Sequence, residues 1–180
     1  MQLPTNNFRM VRVYDNIIPD GVCSDLIELF ENSSQQQEYV NNNSTPCFTQ
    51  LNINQYYPDA VKSLVGFTRK AYGNYCDDIK NPYIPQFKQL EEFRIKRYLT
   101  KREERFDEHV DVTDYASARR GLAFLFYLND NDGDTSFGDI VVHPRVGRVV
   151  VFPPTWEYPH YGIAPTVCTK YIMSTYIHYG

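Results

Sequence analysis

Apolar positions fall into two regimes along this chain. Up to about residue 80 they recur at helical spacing, and from about residue 90 they crowd into short β-branched and aromatic runs divided by turn residues. Val22, Leu26, Ile27, Leu29 and Phe30 predict a helix over 22 to 32, after a turn at Pro19-Asp20-Gly21 and with Asp20 or Ser24 as its cap. Val61, Leu64, Val65, Thr68, Ala71, Tyr72 and Tyr75 form one stripe and predict a second helix over 58 to 79, which Gly66 and Gly73 weaken. Residues 9 to 14 read as a short strand. Between the helices, residues 32 to 56 are so rich in Asn, Gln and Ser that they read as a long loop, either a lid or a plain insertion.

Six strands are expected in the second half, at 92–99, 105–113, 119–128, 138–143, 147–152 and 168–178, with turns at 129–134 and 144–147. Strands this closely spaced predict a sandwich or barrel. With two helices ahead of them, the expected architecture is mainly β with N-terminal helices, a jelly-roll-like double sheet covered on one outer face. One domain is expected over residues 1 to 180, with helical support at 15 to 80 and a β core from about 90 to 180.

Composition narrows the function classes. Hydrophobic residues at 42% and charged residues at 22% are those of a folded globular protein. A net charge of −4 offers no general attraction for nucleic acid. Arg94, Lys96, Arg97, Lys101, Arg102 and Arg105 cluster, but acidic residues are interleaved with them, so a solvated surface accounts for them better than a phosphate-binding patch. No apolar run is long enough to span a membrane. Cys23, Cys47, Cys76 and Cys168 stand far apart without a C-x-x-C pair, and the chain opens without a recognisable export signal. A cytoplasmic protein with reduced thiols is expected. Asn43-Ser44-Thr45 matches a glycosylation acceptor, which without export is a coincidence of sequence.

Candidate chemistry lies in the strand-rich half. His109 and Asp111, two apart on an expected strand, would present an imidazole and a carboxylate on one face while Val110 points away. Alone the pair is a weak signal, equally readable as a surface ion pair on an edge strand. His160 lies in a turn-rich stretch just after the apolar strand ending at Phe152. Two histidines and one carboxylate can fill one face of an octahedral metal and leave the opposite face open, as in non-haem Fe(II) oxygenases. Ten residues on, Lys170 begins an apolar run; turned inward, it would need an anionic partner, which a dicarboxylate co-substrate would supply.

The order Tyr98, His109-Val-Asp111, Phe124-Leu-Phe-Tyr-Leu-Asn-Asp130, Gly133-Asp-Thr-Ser-Phe137, Pro144-Arg-Val-Gly147, Val151-Phe152, His160 and Lys170-Tyr171 resembles the Fe(II)- and 2-oxoglutarate-dependent dioxygenases, in their prolyl 4-hydroxylase-like branch. Residues 11 to 27 are similar to that family's opening strand and first helix. The resemblance implies a double-stranded β-helix in which His109, Asp111 and His160 bind Fe(II). It further implies that Lys170 meets the distal carboxylate of 2-oxoglutarate and that Tyr98 and Tyr127 help to hold that co-substrate. The implied reaction hydroxylates a substrate, peptidyl proline being the first to consider, as 2-oxoglutarate and O2 become succinate and CO2, with ascorbate as a reductant. Asp132-Gly133-Asp134-Thr135 departs from the family's usual pair of glycines before Glu-Thr, which bears on loop geometry rather than on the metal site.

His143 and His178 are expected to be structural or surface residues, and most of the 15 tyrosines and 11 phenylalanines to be core packing. Two other readings compete with the oxygenase: a non-catalytic jelly-roll binding or structural module, and a zinc hydrolase using the same three ligands. Lys170 argues against the second.

Overall fold

The structure, a computed structural model, describes residues 9–41 and 46–179. Among the described residues, eleven strands form two antiparallel sheets. The larger contains β1 (Arg12–Tyr14), β2 (Glu38–Asn41), β3 (Cys47–Asn52), β4 (Arg94–Tyr98), β6 (Arg120–Tyr127), β9 (Val149–Phe152) and β11 (Lys170–His178), in the order β1-β9-β6-β11-β4-β3-β2. The smaller contains β5 (Phe106–His109), β7 (Thr135–Phe137), β8 (Ile140–Val142) and β10 (His160–Gly162), in the order β5-β10-β7-β8. The larger sheet is covered outside by α1 (Asp20–Glu31) and α3 (Pro58–Ile79), with a short α2 (Ile53–Tyr56) leading into α3.

Period-two alternation divides two cores across the larger sheet. Leu122, Phe124 and Phe126 of β6, Val149 and Val151 of β9, and Met173 and Ile177 of β11 pack outward with Leu26, Phe30, Leu64 and Tyr75 of the helices. Ala123 and Tyr127, Val150 and Phe152, and Ile172 turn inward to meet Phe137 and Val142 of the smaller sheet. Strands buried on both faces lose polar alternation, which is why these segments read as nearly continuous apolar runs. Each fully buried Phe or Val contributes roughly 1.5–3 kcal/mol.

Helix α3 has the bounds expected from its stripe. Leu64, Thr68, Ala71 and Tyr75 are its buried face, while a Cβ added at Gly66 or Gly73 would meet open space, so neither glycine interrupts packing. The helix stops where Lys80 adopts a left-handed conformation (φ 51°) and its N–H bonds to the Cys76 carbonyl. Helix α1 begins two residues earlier than expected, and neither proposed cap serves. Pro19 is the N-cap, Asp20 lies in the first turn, and the Ser24 hydroxyl donates to the Asp20 carbonyl.

Three expectations are corrected. The long loop at 32 to 56 contains β2, β3 and α2; Phe48 and Leu51 give β3 an apolar anchor on each face, and pairing with β4 supplies the backbone partners that composition alone does not reveal. The acceptor sequence at 43–45 lies outside the described residues. Thr135–Phe137, given no element, and the stretch around His160, read as turn-rich, form β7 and β10, each only three residues long and too short for a periodic signal. Lys96, grouped with the solvated basic residues, points to the inner face of the larger sheet, whereas Arg94, Arg97, Arg102 and Arg105 pair with carboxylates.

Candidate metal centre

The smaller sheet positions the first two donors. His109 ends β5 and lies directly opposite His160 on β10, with ring centroids 4.3 Å apart. Asp111 lies past the end of β5 rather than within it. Its backbone turns inward because the N–H groups of Asp111 and Val112 both bond to the Pro154 carbonyl, at 3.2 and 3.1 Å. The Asp111 carboxylate then stands 3.6 Å from His109 Nε2 and 3.8 Å from His160 Nε2. One donor atom from each residue falls within 4.8 Å of the others, a spacing that fits a single cation.

Both imidazoles are fixed in the form a metal needs. His109 Nδ1 lies 2.8 Å from the Asp107 carbonyl and His160 Nδ1 lies 3.1 Å from the Tyr158 carbonyl. A carbonyl only accepts, so each Nδ1 carries a proton, and Nε2 is the ring atom aimed at Asp111 that a metal would take as its ligand. Burial lowers the pKa of His160 against the opposing charge of Asp111, which favours the neutral ring. Burial pushes the Asp111 carboxyl upward, but the His109 hydrogen bond and the neighbouring charges of His160, His109 and Lys96 outweigh it and hold the group below its ordinary value. The rings themselves are wedged: Phe106 stacks on His109 at 3.5 Å between centroids and 3° between planes, while Phe137 and Phe152 flank His160.

Lys170 lines the same cleft from the other sheet. It starts β11 opposite Tyr98, is 2% exposed, and its Nζ donates to the Gly133 carbonyl at 2.5 Å and lies 5.4 Å from the Tyr98 ring centroid. Among the described residues no carboxylate comes within ion-pair distance of it, and burial pushes its pKa down to about 8, with the more distant Asp134 opposing. Space for a ligand beside it depends on small residues: a Cβ at Gly133 would approach Lys170 Cδ to 2.9 Å, and one at Gly162 would lie 3.5 Å from Nζ. The Tyr127 and Thr135 hydroxyls are buried near one another, and neither completes a hydrogen bond of good geometry. Thr135 and Tyr98 line the cleft, whereas Tyr127 belongs to the inner core beside it. An unneutralised ammonium and two orphan hydroxyls suit an anionic, oxygen-rich ligand.

Two charged residues at the mouth escaped sequence reading. Arg120 donates to both Glu91 oxygens at 2.8 and 2.7 Å, to the Asp111 carbonyl at 2.9 Å, and stacks over Tyr176 at 4.2 Å. His178 adds a 3.1 Å bond from Nε2 to Glu91. Burial works against the Glu91 carboxylate, yet the Arg120 and His178 bonds keep its pKa below the ordinary value. Lys96 is half-buried; burial pushes its pKa down to about 8, opposed by Asp111. His143, by contrast, is exposed and pairs with Asp134 at 2.9 Å. No sequence period marks Arg120 or Lys96, because each follows ordinary strand alternation and differs only in which sheet face it occupies.

The family model for the 2OG-Fe(II) oxygenase superfamily matches residues 93–178, the stretch holding all three donors and Lys170. No curated protein sequence matches the chain significantly. Among solved structures, a prolyl hydroxylase from Trichoplax adhaerens in complex with a hypoxia inducible factor oxygen degradation domain peptide fragment is similar in fold, with a TM-score of 0.76, 15% identity and coverage of 97% of this chain and 86% of that one. A Pseudomonas putida prolyl-4-hydroxylase gives 0.73 at 15% identity, covering 94% and 92%. The viral collagen prolyl hydroxylase of Paramecium Bursaria Chlorella virus-1, in its 2OG complex, gives 0.66 at 16% identity, covering 96% and 97%. The match to the 2OG-Fe(II) oxygenase superfamily model thus lies on the donor-bearing stretch, and the fold is similar over nearly the whole chain to that of solved prolyl hydroxylases.

Proposed function

We propose that this chain is a single-domain, non-haem Fe(II)- and 2-oxoglutarate-dependent dioxygenase in which His109, Asp111 and His160 hold the iron and Lys170 receives the distal carboxylate of 2-oxoglutarate. One observation carries the reading: a buried ammonium with no counter-ion, Lys170, lines the same cleft as three convergent metal donors. A zinc hydrolase has no use for that cation. When bound, the iron and 2-oxoglutarate supply the oxidation, in which 2-oxoglutarate, O2 and a substrate C–H give succinate, CO2 and the hydroxylated product.

The residues of the chain bind and orient. Asp111 supplies a carboxylate that stays ionised at neutral pH, and the two histidines supply neutral Nε2 donors whose tautomers are fixed by backbone carbonyls. Lys170 acts as a point charge; the hydroxyls of Tyr98 and Thr135 line the cleft for the rest of the co-substrate, with the unpaired Tyr127 hydroxyl in the core beside them. Phe48, which contacts both Tyr98 and Phe106 by ring, helps to keep the pocket dry.

Peptidyl proline is the proposed substrate, supported by likeness to prolyl hydroxylases, one of them bound to a peptide. Ascorbate is the proposed reductant. Among the described residues no helix is long and apolar enough to cross a membrane. A reducing cytoplasm is the proposed location, in keeping with four free cysteines.

The direct test supplies Fe(II), ascorbate, 2-oxoglutarate and air to the purified chain and measures succinate. Succinate above a metal-free control, lost in Asp111→Ala, is the expected result. None above that control, across proline-containing peptides as well, contradicts the reading.

A further inference from the structure

The mouth of the cleft contains an unbalanced cation. A cavity of about 330 Å³ opens beside the metal centre, and its charged lining is Glu91, Glu92, Arg94, Lys96, Asp111 and Arg120. Four of these are matched: Arg120 grips Glu91 through two hydrogen bonds, and Arg94 bonds Glu92 at 2.8 Å. That leaves Lys96 and Asp111. Among the described residues the Lys96 ammonium makes no hydrogen bond or ion pair; it lies 5.1 Å from the Phe48 ring centroid, and Asp111 is the acidic group that acts on it most strongly. Once Asp111 is committed to a metal, Lys96 faces the cavity alone.

Lys96 also lines the inner cleft with His109, Asp111 and Lys170, so it stands where the two spaces meet. A half-buried lysine set over the Phe48 ring is costly without a partner. A bland account lets the stem cover Phe48 while water solvates the ammonium. That account explains the stem, but it gives the ammonium no acidic partner in the cavity lining once Asp111 holds a metal.

We propose that Lys96 reads a carboxylate on the primary substrate, so that the chain prefers an acidic peptide to its neutral counterpart. The inference rests on the proposed function above, because it takes Asp111 as a metal ligand. One ammonium suits one negative charge; a phosphate group, near two charges at neutral pH, asks for more donors than this wall offers. The carboxylate could be an acidic side chain or a free peptide C-terminus.

Binding decides it. The chain, loaded with Zn(II) and 2-oxoglutarate so that no turnover occurs, is titrated by calorimetry with N-acetylated proline peptides. One arm pairs Glu with Gln at each of the three positions on either side of the proline, all C-terminally amidated; a second arm pairs free with amidated C-termini. Expected is at least one pair in which the acid binds about tenfold tighter, a preference that Lys96→Met abolishes and Lys96→Arg retains. Thermal melts check that both variants fold. Equal binding within every pair, absence of binding by all peptides, or a preference that survives Lys96→Met overturns the inference. Its failure is distinct from failure of the proposed function, which appears as no metal-dependent succinate either with or without added peptide.

Discussion

His109 and His160 face each other across β5 and β10, and each gives its Nδ1 proton to a backbone carbonyl two residues earlier in the chain, Asp107 for one and Tyr158 for the other. Strand pairing therefore fixes the separation of the donors, and local backbone fixes their tautomers, before any metal arrives. Phe106 holds the more exposed ring by stacking on it. Phe106→Ala removes that wedge and is expected to weaken Fe(II) affinity on the order of tenfold, the lower end of what outer-shell partners contribute. Anaerobic Fe(II) titration measures it; unchanged affinity shows that the backbone alone sets the ring.

Lys170 gives the proposed co-substrate site a pH signature. Burial lowers its pKa from 10.5 to about 8 in the ligand-free protein. Between these values the folded state binds fewer protons than the unfolded chain, so this group makes ligand-free stability rise with pH across the window, and its penalty is complete below about 8. A dicarboxylate prefers the charged lysine. Affinity for 2-oxoglutarate should be flat below about pH 8 and fall above it. Lys170→Met should lower affinity roughly 10- to 100-fold, the equivalent of one charged hydrogen bond, and flatten the profile. Calorimetry across pH reads both.

Arg120 ties the loop carrying Asp111 to Glu91 by donating to the Asp111 carbonyl. Arg120→Met leaves a part-buried Glu91 with only His178 and the longer Arg94 contact, at an expected cost of about 2–3 kcal/mol in stability. Metal affinity should fall as well, because the Asp111 backbone loses one of its anchors. Arg120→Lys, which cannot reach both partners in the same planar fork, should recover little. Denaturant unfolding and Fe(II) titration on the same samples separate the two effects.

Gly147 has φ +73°, and a Cβ there would sit 2.2 Å from the Ile18 carbonyl oxygen, which is backbone and cannot swing away. Gly147→Ala should cost at least about 1–3 kcal/mol. Its thermal midpoint should fall by roughly 2–4 °C for each of those kcal/mol. A melt within 1 °C of the parent, less than ~0.5 kcal/mol on that scale, contradicts the packing described for the β8–β9 turn.

Much of the site was legible because its chemistry depends on residue type and order. His109, Asp111, His160 and Lys170 could be named, and the structure brings all four to one cleft. The major strands were legible too, since burial on both faces leaves runs such as Val149 to Phe152 wholly apolar. What escaped depends on partners elsewhere in the chain. β3 lies in a stretch rich in Asn, Gln and Ser and becomes a strand by pairing with β4; β10 is three residues long and is held by β5 and β7. Lys96 looks like its exposed basic neighbours until the sheet face it occupies is known.

The most direct test of the account is anaerobic Fe(II) binding followed by elemental analysis. The parent chain should retain about one iron per molecule, and Asp111→Ala and His160→Ala, still folded by circular dichroism, should retain almost none. Iron bound equally by the parent and by both variants, or by none of the three, contradicts a centre built from His109, Asp111 and His160.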